Sequence, residues 1–148
     1  ATDGDVSPFA RTRAAGRAIL ADHGWRGVGV GSFRHLFPAY VRVYPDIYMN
    51  GALFWEHVHN DWLEIPIDLG AAGTLLLLGA AGYGLALIFR RRALWHSSMV
   101  PVLFGCAQTL LHAWIDFPFH CPAILVTWCL LLTLVARSLD LEGKPFRT

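Results

Sequence analysis

The side chains best suited to acid–base chemistry are concentrated between residues 56 and 64. The run reads Glu56, His57, Val58, His59, Asn60 and Asp61, and Glu64 follows. A histidine has a pKa of about 6.5, so it can accept a proton from a hydroxyl group near neutral pH, and a nearby carboxylate can orient it. This spacing therefore favours a proton-transfer site. The alternative is an ordinary group of charges at a membrane surface, because a long apolar segment follows directly.

A second polar group interrupts an apolar stretch farther along the chain. Gln108, His112 and Asp116 are spaced four residues apart, which places them on one face of a helix. Polar groups inside a membrane span are costly, so they usually point into a helix bundle, at a functional site or as hydrogen-bonding partners of other helices. Both interpretations stay open here. His112, Asp116 and His120 are expected on the same side of the membrane as His59.

Histidine and aspartate are also ligands of zinc, and the motif His-x-His-x-Asp occupies residues 57–61. The chain lacks the His-Glu-x-x-His helix that is typical of zinc hydrolases. No metal site is therefore predicted, and a membrane zinc hydrolase is kept as an alternative. The net charge of +1 gives no reason to expect a nucleic-acid partner.

Three apolar segments must position these groups. They cover about residues 66–89, 98–116 and 118–137, in a chain that is 55% hydrophobic and only 16% charged. The stretch 69–89 carries no charge and is long enough for a hydrocarbon layer of about 30 Å. We therefore predict an all-α membrane protein with three transmembrane helices. Because the chain begins with Ala1 rather than Met, it is expected to be a fragment of a larger multi-span bundle.

The positive charges predict how these spans are oriented. Arginines at positions 90–92 follow the first span, and Arg137, Lys144 and Arg147 follow the third. No Lys or Arg lies between Arg42 and Arg90. Positive residues favour the cytoplasmic side, so the loop 90–98 and the tail 141–148 are predicted to be cytoplasmic. Residues 1–65 are then extracytoplasmic.

This outer segment is predicted to combine one helix with loops. Ser7 and Pro8 form a helix-start pattern, and the helix is expected to end before Gly24. The Gly-x-Gly-x-Gly at residues 27–31 predicts a turn rather than a dinucleotide site, because the full fingerprint and its βαβ context are missing. Residues 33–55 are rich in aromatic residues and Pro and are predicted to be a loop, which either caps an amphiphilic site or rests on lipid headgroups.

Three blocks of this sequence resemble the O-antigen ligase and polymerase superfamily. The first is His59-Asn60, followed after nine residues by Gly70-Ala71-Ala72-Gly73. The second is the glycine turn 27–31 with Ser32-Phe33, followed by Phe37-Pro38-Ala39-Tyr40. The third is His112 with Asp116-Phe117-Pro118 and Pro122. The resemblance covers about residues 13–136. Pro66 departs from the family pattern and is expected to kink or begin the first span.

The resemblance implies a membrane glycosyltransferase of the bacterial inner membrane that works on the periplasmic face. Such enzymes move a glycan from an undecaprenyl diphosphate carrier to lipid A core sugar or to a growing polysaccharide, without metal or cofactor. His59 is then the base. The expected diphosphate-binding residues are Arg13, Arg17, Arg26 and Arg42, with Arg11 as a further candidate. The supporting residues are Asn60, Asp61, Glu64, His112 and Asp116, and the sequence does not choose which carboxylate orients His59.

A second function class is kept beside this one. A transport or scaffold subunit that only binds lipid-linked glycan would show the same spans and the same polar clusters. It differs in one expectation, because its His59 would tolerate substitution while bulky changes in the spans would not.

Overall fold

The computed structural model describes residues 8–40, 55–90 and 99–142, the last five of these without their side chains. Most of these residues are helical and none forms a strand, which confirms the all-α prediction for this part of the chain. The helices are α1 (Pro8–His23), α2 (Phe33–Tyr40), α3 (Asp61–Arg90), α4 (Val100–His112), a 3₁₀ turn (Pro118–His120) and α5 (Pro122–Glu142).

One of the described helices, α3, is long and apolar enough to cross a membrane. It starts at Asp61, five residues before the predicted span. Helix α4 has 13 residues, and the apolar part of α5 is Pro122–Arg137. At 1.5 Å per residue, 13 residues cover about 20 Å, which is less than a hydrocarbon layer. A single span is therefore supported by length, and three spans stay a prediction.

Helix α3 is broken at Gly70 rather than at Pro66, where a kink was expected. Gly70 has φ 66° and ψ −176°, whereas Pro66 keeps helical angles. Those angles belong to a backbone region that is almost exclusive to glycine. The break leaves backbone groups without partners inside the helix, and the glycine turn at residues 27–31 packs against them.

The glycine turn replaces the hydrogen bonds that the break removes. The amide of Val28 donates to the carbonyl of Ile67 at 2.9 Å, and the amide of Gly29 donates to that of Asp68 at 3.0 Å. In return, the amide of Ala71 donates to the carbonyl of Trp25 at 3.3 Å. The predicted turn is thus confirmed, with a positive φ at residues 27, 29 and 31. Its structural role is to complete a broken helix.

Helix α1 ends at His23, as predicted, and it packs on a helix that was not predicted. Helix α2 lies inside the segment 33–55, which was expected to be a loop. Phe33 and Phe37 are buried one turn apart with ring centroids 5.1 Å apart, so α2 has an apolar face. The prediction for residues 33–40 was wrong because the aromatic and Pro content masked this spacing. The rest of that segment, 41–54, lies outside the described residues.

The described residues fall into two compact units. The first contains residues 8–40, 55–76 and 113–117, and its core includes Ile19, Phe33, Phe37, Val58 and Ile67. In the second unit, Ile88 and Val135 pack with partly buried neighbours. There the indole N–H of Trp128 donates to the carbonyl of Cys106 at 3.0 Å, a polar link between α5 and α4 in an apolar stretch.

Candidate functional site

His59 lies immediately before helix α3 in an unusual backbone conformation. Its φ is 56°, and it is the one non-glycine residue with a positive φ among the described residues. Asn60 then caps the helix, because its side-chain oxygen accepts a hydrogen bond from the amide of Leu63 at 3.1 Å. A left-handed backbone costs free energy for a side-chain-bearing residue, and such positions cluster at functional sites. The capping of α3 therefore fixes the direction in which the imidazole leaves the backbone.

A carboxylate faces one ring nitrogen of His59. Nδ1 lies 3.4 Å from Oδ1 of Asp116, which is longer than a well-formed hydrogen bond but within ion-pair distance. The same carboxylate oxygen accepts a hydrogen bond from the amide of Phe117 at 3.0 Å. No described residue hydrogen-bonds to Nε2 of His59. The ring can therefore take a proton at Nε2 while Asp116 stabilises the resulting charge at Nδ1.

Three aromatic rings surround the imidazole edge-on. The ring centroids of Phe9, Trp55 and Phe117 lie 5.1, 5.4 and 4.9 Å from that of His59. These residues come from helix α1, from the segment before α3 and from the turn after α4. The imidazole keeps 28% of its side-chain surface exposed, so it remains reachable. The rings form a partly apolar cage that leaves one side open.

The turn that carries Asp116 is held against the start of α3. The amide of Asp61 donates to the carbonyl of Ala113 at 2.9 Å and to that of Asp116 at 3.2 Å. The first amide of a helix has no acceptor within the helix, so it is free for this contact. The rings of Trp62 and Trp114 also pack together, with centroids 6.1 Å apart. These contacts bring together two residues that are far apart in sequence, His59 and Asp116.

Helix α4 ends at His112, so Asp116 does not continue the helical face of Gln108 and His112. The predicted stripe of three residues was wrong at this position, because residues 113–116 form a turn. His112 is exposed at the end of α4 in the second unit. Asp116 belongs to the first unit and faces His59 there.

Glu64 is fully buried, and its carboxylate pairs with His57 rather than with His59. Its Oε1 lies 2.7 Å from Nδ1 of His57, and its Oε2 accepts a hydrogen bond from the amide of Val58 at 2.8 Å. The His57 ring stacks on Phe117 at a centroid distance of 4.3 Å. Glu64 therefore holds the backbone that leads into His59. Asp61, the first residue of α3, is also buried, with 1% of its surface exposed.

The predicted arginines divide into near and remote groups. Arg13 lies one helical turn after Phe9, and its Nε donates to the carbonyl of Phe9 at 3.3 Å. Arg17 follows one turn later and is exposed. Because the Phe9 ring lies 5.1 Å from that of His59, Arg13 lies one helical turn from a residue of the aromatic cage. Arg11 is half-buried on the same helix.

The other two predicted arginines do not join this group. Arg26 is exposed beyond the far end of α1, which is about 24 Å long by its 16 residues. The structure does not bring it to His59. Arg42 lies outside the described residues. Arg34, which was not predicted to act at the site, pairs with Glu56 at 4.0 Å.

The aromatic cage was missed from the sequence. Phe9 had no signal of its own, and Phe117 was part of a motif but was not assigned to the site. Trp55, four residues before His59, was only part of the predicted loop 33–55. A histidine flanked by aromatic residues and followed by a helix cap is a usable signal in retrospect.

No protein-family model, curated protein or solved structure matches this chain. The resemblance to O-antigen ligases and polymerases therefore stays a prediction from three short motifs. The geometry around His59 has to be judged on its own chemistry.

Proposed function

We propose that this chain is part of a membrane glycosyltransferase that moves a glycan from a polyprenyl diphosphate carrier to a sugar hydroxyl. The observation that carries the proposal is the arrangement of His59, with Asp116 at Nδ1 and no described residue hydrogen-bonded to Nε2. In this reaction the acceptor hydroxyl gives its proton to Nε2 of His59. The oxygen attacks the anomeric carbon as the bond to the diphosphate breaks, so the anomeric configuration inverts.

The leaving diphosphate needs positive charge, and Arg13 is the side chain placed to supply it. A guanidinium group stays protonated and matches phosphate oxygens with its planar fork. Arg13 stands one turn from Phe9, whose ring touches His59. Arg17 is the next cation on the same helix and can extend this charge along the carrier. The base and the phosphate-binding group thus come from different elements of one compact unit.

The membrane placement of α3 is part of the proposal. Most apolar side chains of α3 from Leu75 onward are exposed, with Leu75 at 68% and Leu76 at 76%, and only 6% of the apolar window is buried. A core helix of a soluble protein would bury such a surface, so this helix needs a hydrocarbon environment. We place it in the bacterial inner membrane with His59 on the periplasmic side, and we place α4 and α5 in the membrane as two further spans.

The decisive experiment replaces His59 in the full-length protein. His59→Ala should abolish polymer or ligated glycan on a gel of surface polysaccharide, because general-base catalysis contributes about 10² to 10⁴ in rate. His35→Ala is the matched control: His35 is exposed on α2, and its described side-chain hydrogen bond is to Arg34. Protein levels are compared by immunoblot. Undiminished product from His59→Ala would remove the histidine from the mechanism and favour a subunit that only binds lipid-linked glycan.

Topology is tested separately with cysteine labelling. Glu56→Cys, at a position whose side chain is 59% exposed, should react with a membrane-impermeant maleimide from the periplasm. Ser97→Cys, in the loop predicted to be cytoplasmic, should react only after the membrane is opened. The native cysteines are first changed to alanine. Labelling of position 56 from the cytoplasm alone would overturn the proposed orientation.

A further inference from the structure

An apolar groove lies between the end of α1 and the broken helix α3. It has a volume of about 440 Å³, and its walls include Leu20, Trp25, Pro66, Ala71 and Leu75. Trp25 is the most exposed large apolar side chain of the described residues, at 84%. A tryptophan this exposed on a rigid backbone is unusual for a surface that faces only water.

Several polar groups beside this groove are paired within the protein. The hydroxyl of Thr74, another wall residue, donates to the carbonyl of Gly70 at 2.7 Å. The carbonyls of Ile67 and Asp68 and the amide of Ala71, which the break at Gly70 would release, all bond to the glycine turn. Buried backbone groups need such partners in any protein, and without them the broken helix would be costly beside hydrocarbon. The wall of the groove therefore offers mainly carbon surface.

The position of the groove along α3 matches the edge of a bilayer. The glycine turn meets the helix at residues 67–71, where the uncharged stretch begins and the exposed leucines follow. Trp25 thus stands level with the start of the apolar surface. Beside it, Arg26 is exposed and supplies a cation. Tryptophan and arginine are both among the side chains that anchor proteins at a membrane interface.

We propose that the segment 24–31 is a membrane anchor, with Trp25 inserted among lipid chains and a phospholipid acyl chain filling the groove. This inference rests on the proposed membrane placement of α3. It goes beyond the proposed activity, because it assigns the segment 24–31 to lipid contact. The anchor would hold helix α1, and with it Arg13, at a fixed depth relative to the membrane.

Spin labelling of the full-length protein in vesicles of phosphatidylethanolamine and phosphatidylglycerol tests the anchor. Single cysteines at Trp25, Leu76 and Arg17 carry the label in a background without native cysteines. Oxygen should collide with the labels at Trp25 and Leu76 more often than a water-soluble nickel complex does. The order should be reversed at Arg17, which is exposed on α1.

The outcomes separate the anchor from the membrane placement. A label at Leu76 that meets mainly the nickel complex would overturn the placement of α3 and the anchor with it. A label at Leu76 shielded by lipid, combined with a water-exposed label at Trp25, would overturn the anchor alone.

A second measurement covers the case in which the cysteine at Trp25 impairs folding. Trp25→Phe should lower the fraction of tryptophan emission that lipids brominated on their acyl chains quench. Trp55→Phe should not lower that fraction, because Trp55 is only 8% exposed within the aromatic cage. An unchanged quenchable fraction in Trp25→Phe would contradict insertion.

Discussion

Replacing Gly70 with alanine should destabilise the protein more than any other glycine change in α3. A Cβ at Gly70 would lie 2.5 Å from the carbonyl carbon of Arg26 and 2.6 Å from the amide nitrogen of Gly27. Both neighbours are backbone atoms, so neither can rotate away. The added methyl group would push the glycine turn off the broken helix.

Two contributions set the expected size of the effect. The backbone angles of Gly70 cost a residue with a side chain on the order of 1–3 kcal/mol. Displacing the turn would also break three backbone hydrogen bonds, each worth about 1 kcal/mol net. We therefore expect a loss of about 4 kcal/mol or more in the free energy of unfolding. For a chain of this size, that lowers the melting temperature by roughly 10–15 °C.

Thermal unfolding in detergent, followed by tryptophan fluorescence, measures this loss. Gly79→Ala is the matched control, because Gly79 lies in the same helix and a Cβ there meets no atom within 4 Å. That control should keep or slightly raise the melting temperature, since alanine favours a helix over glycine by up to about 1 kcal/mol. Trypsin should also cleave after Arg26 faster in Gly70→Ala. Equal melting temperatures for the two variants would refute the proposed packing of the turn.

Three further changes test the site and its support. Glu64→Ala should cost about 3 kcal/mol, because it removes a buried acceptor from the amide of Val58 and from the imidazole of His57. Glu56→Ala, at an exposed position, should change the melting temperature little. Asn60→Ala should cost about 1 kcal/mol through loss of the helix cap, and Asn60→Asp should restore most of it. The phenol of Tyr40 donates a hydrogen bond to Asp22. This bond, together with burial and the negative charge of Asp22, raises the pKa of Tyr40 above 10.0. The contact therefore stabilises the fold below pH 10, and its contribution is lost as pH rises through the raised pKa. An absorbance titration should therefore lose a component with a midpoint above pH 10 in Tyr40→Phe, and an unchanged curve would argue against that pairing.

Local signals in the sequence were sufficient for much of the fold. Pro8 and Gly24 bracket helix α1, and the uncharged stretch 69–89 marks the apolar part of α3, because both depend on neighbours within a few residues. Pro66 was expected to kink or begin the first span, whereas α3 begins at Asp61 and is broken at Gly70. A proline near a helix start removes one hydrogen bond, whereas Gly70 changes direction because another segment fills the gap. Only tertiary packing distinguishes these two cases.

The sequence indicated His59 as the candidate histidine, but it did not indicate which residues lie around it. His59 stood out by its neighbours and its motif. Asp116 was one of three carboxylates that could have oriented His59. It faces His59 because the start of α3 hydrogen-bonds to a turn more than fifty residues later. Glu64, nearer in sequence, is taken by His57. Distance along the chain is thus a poor guide to which acid faces a given base.

The break at Gly70 also separates two kinds of helix surface. Asp61, Glu64 and Asp68 recur every three or four positions and are all buried, which makes an acidic stripe along the first part of α3. The stripe ends at Gly70, because the non-helical angles there take the following residues out of the helical register of the preceding turns. Residues 71–89 contain no charged side chain. A single glycine therefore marks the boundary between a buried, acidic part of the helix and an uncharged part whose leucines are exposed.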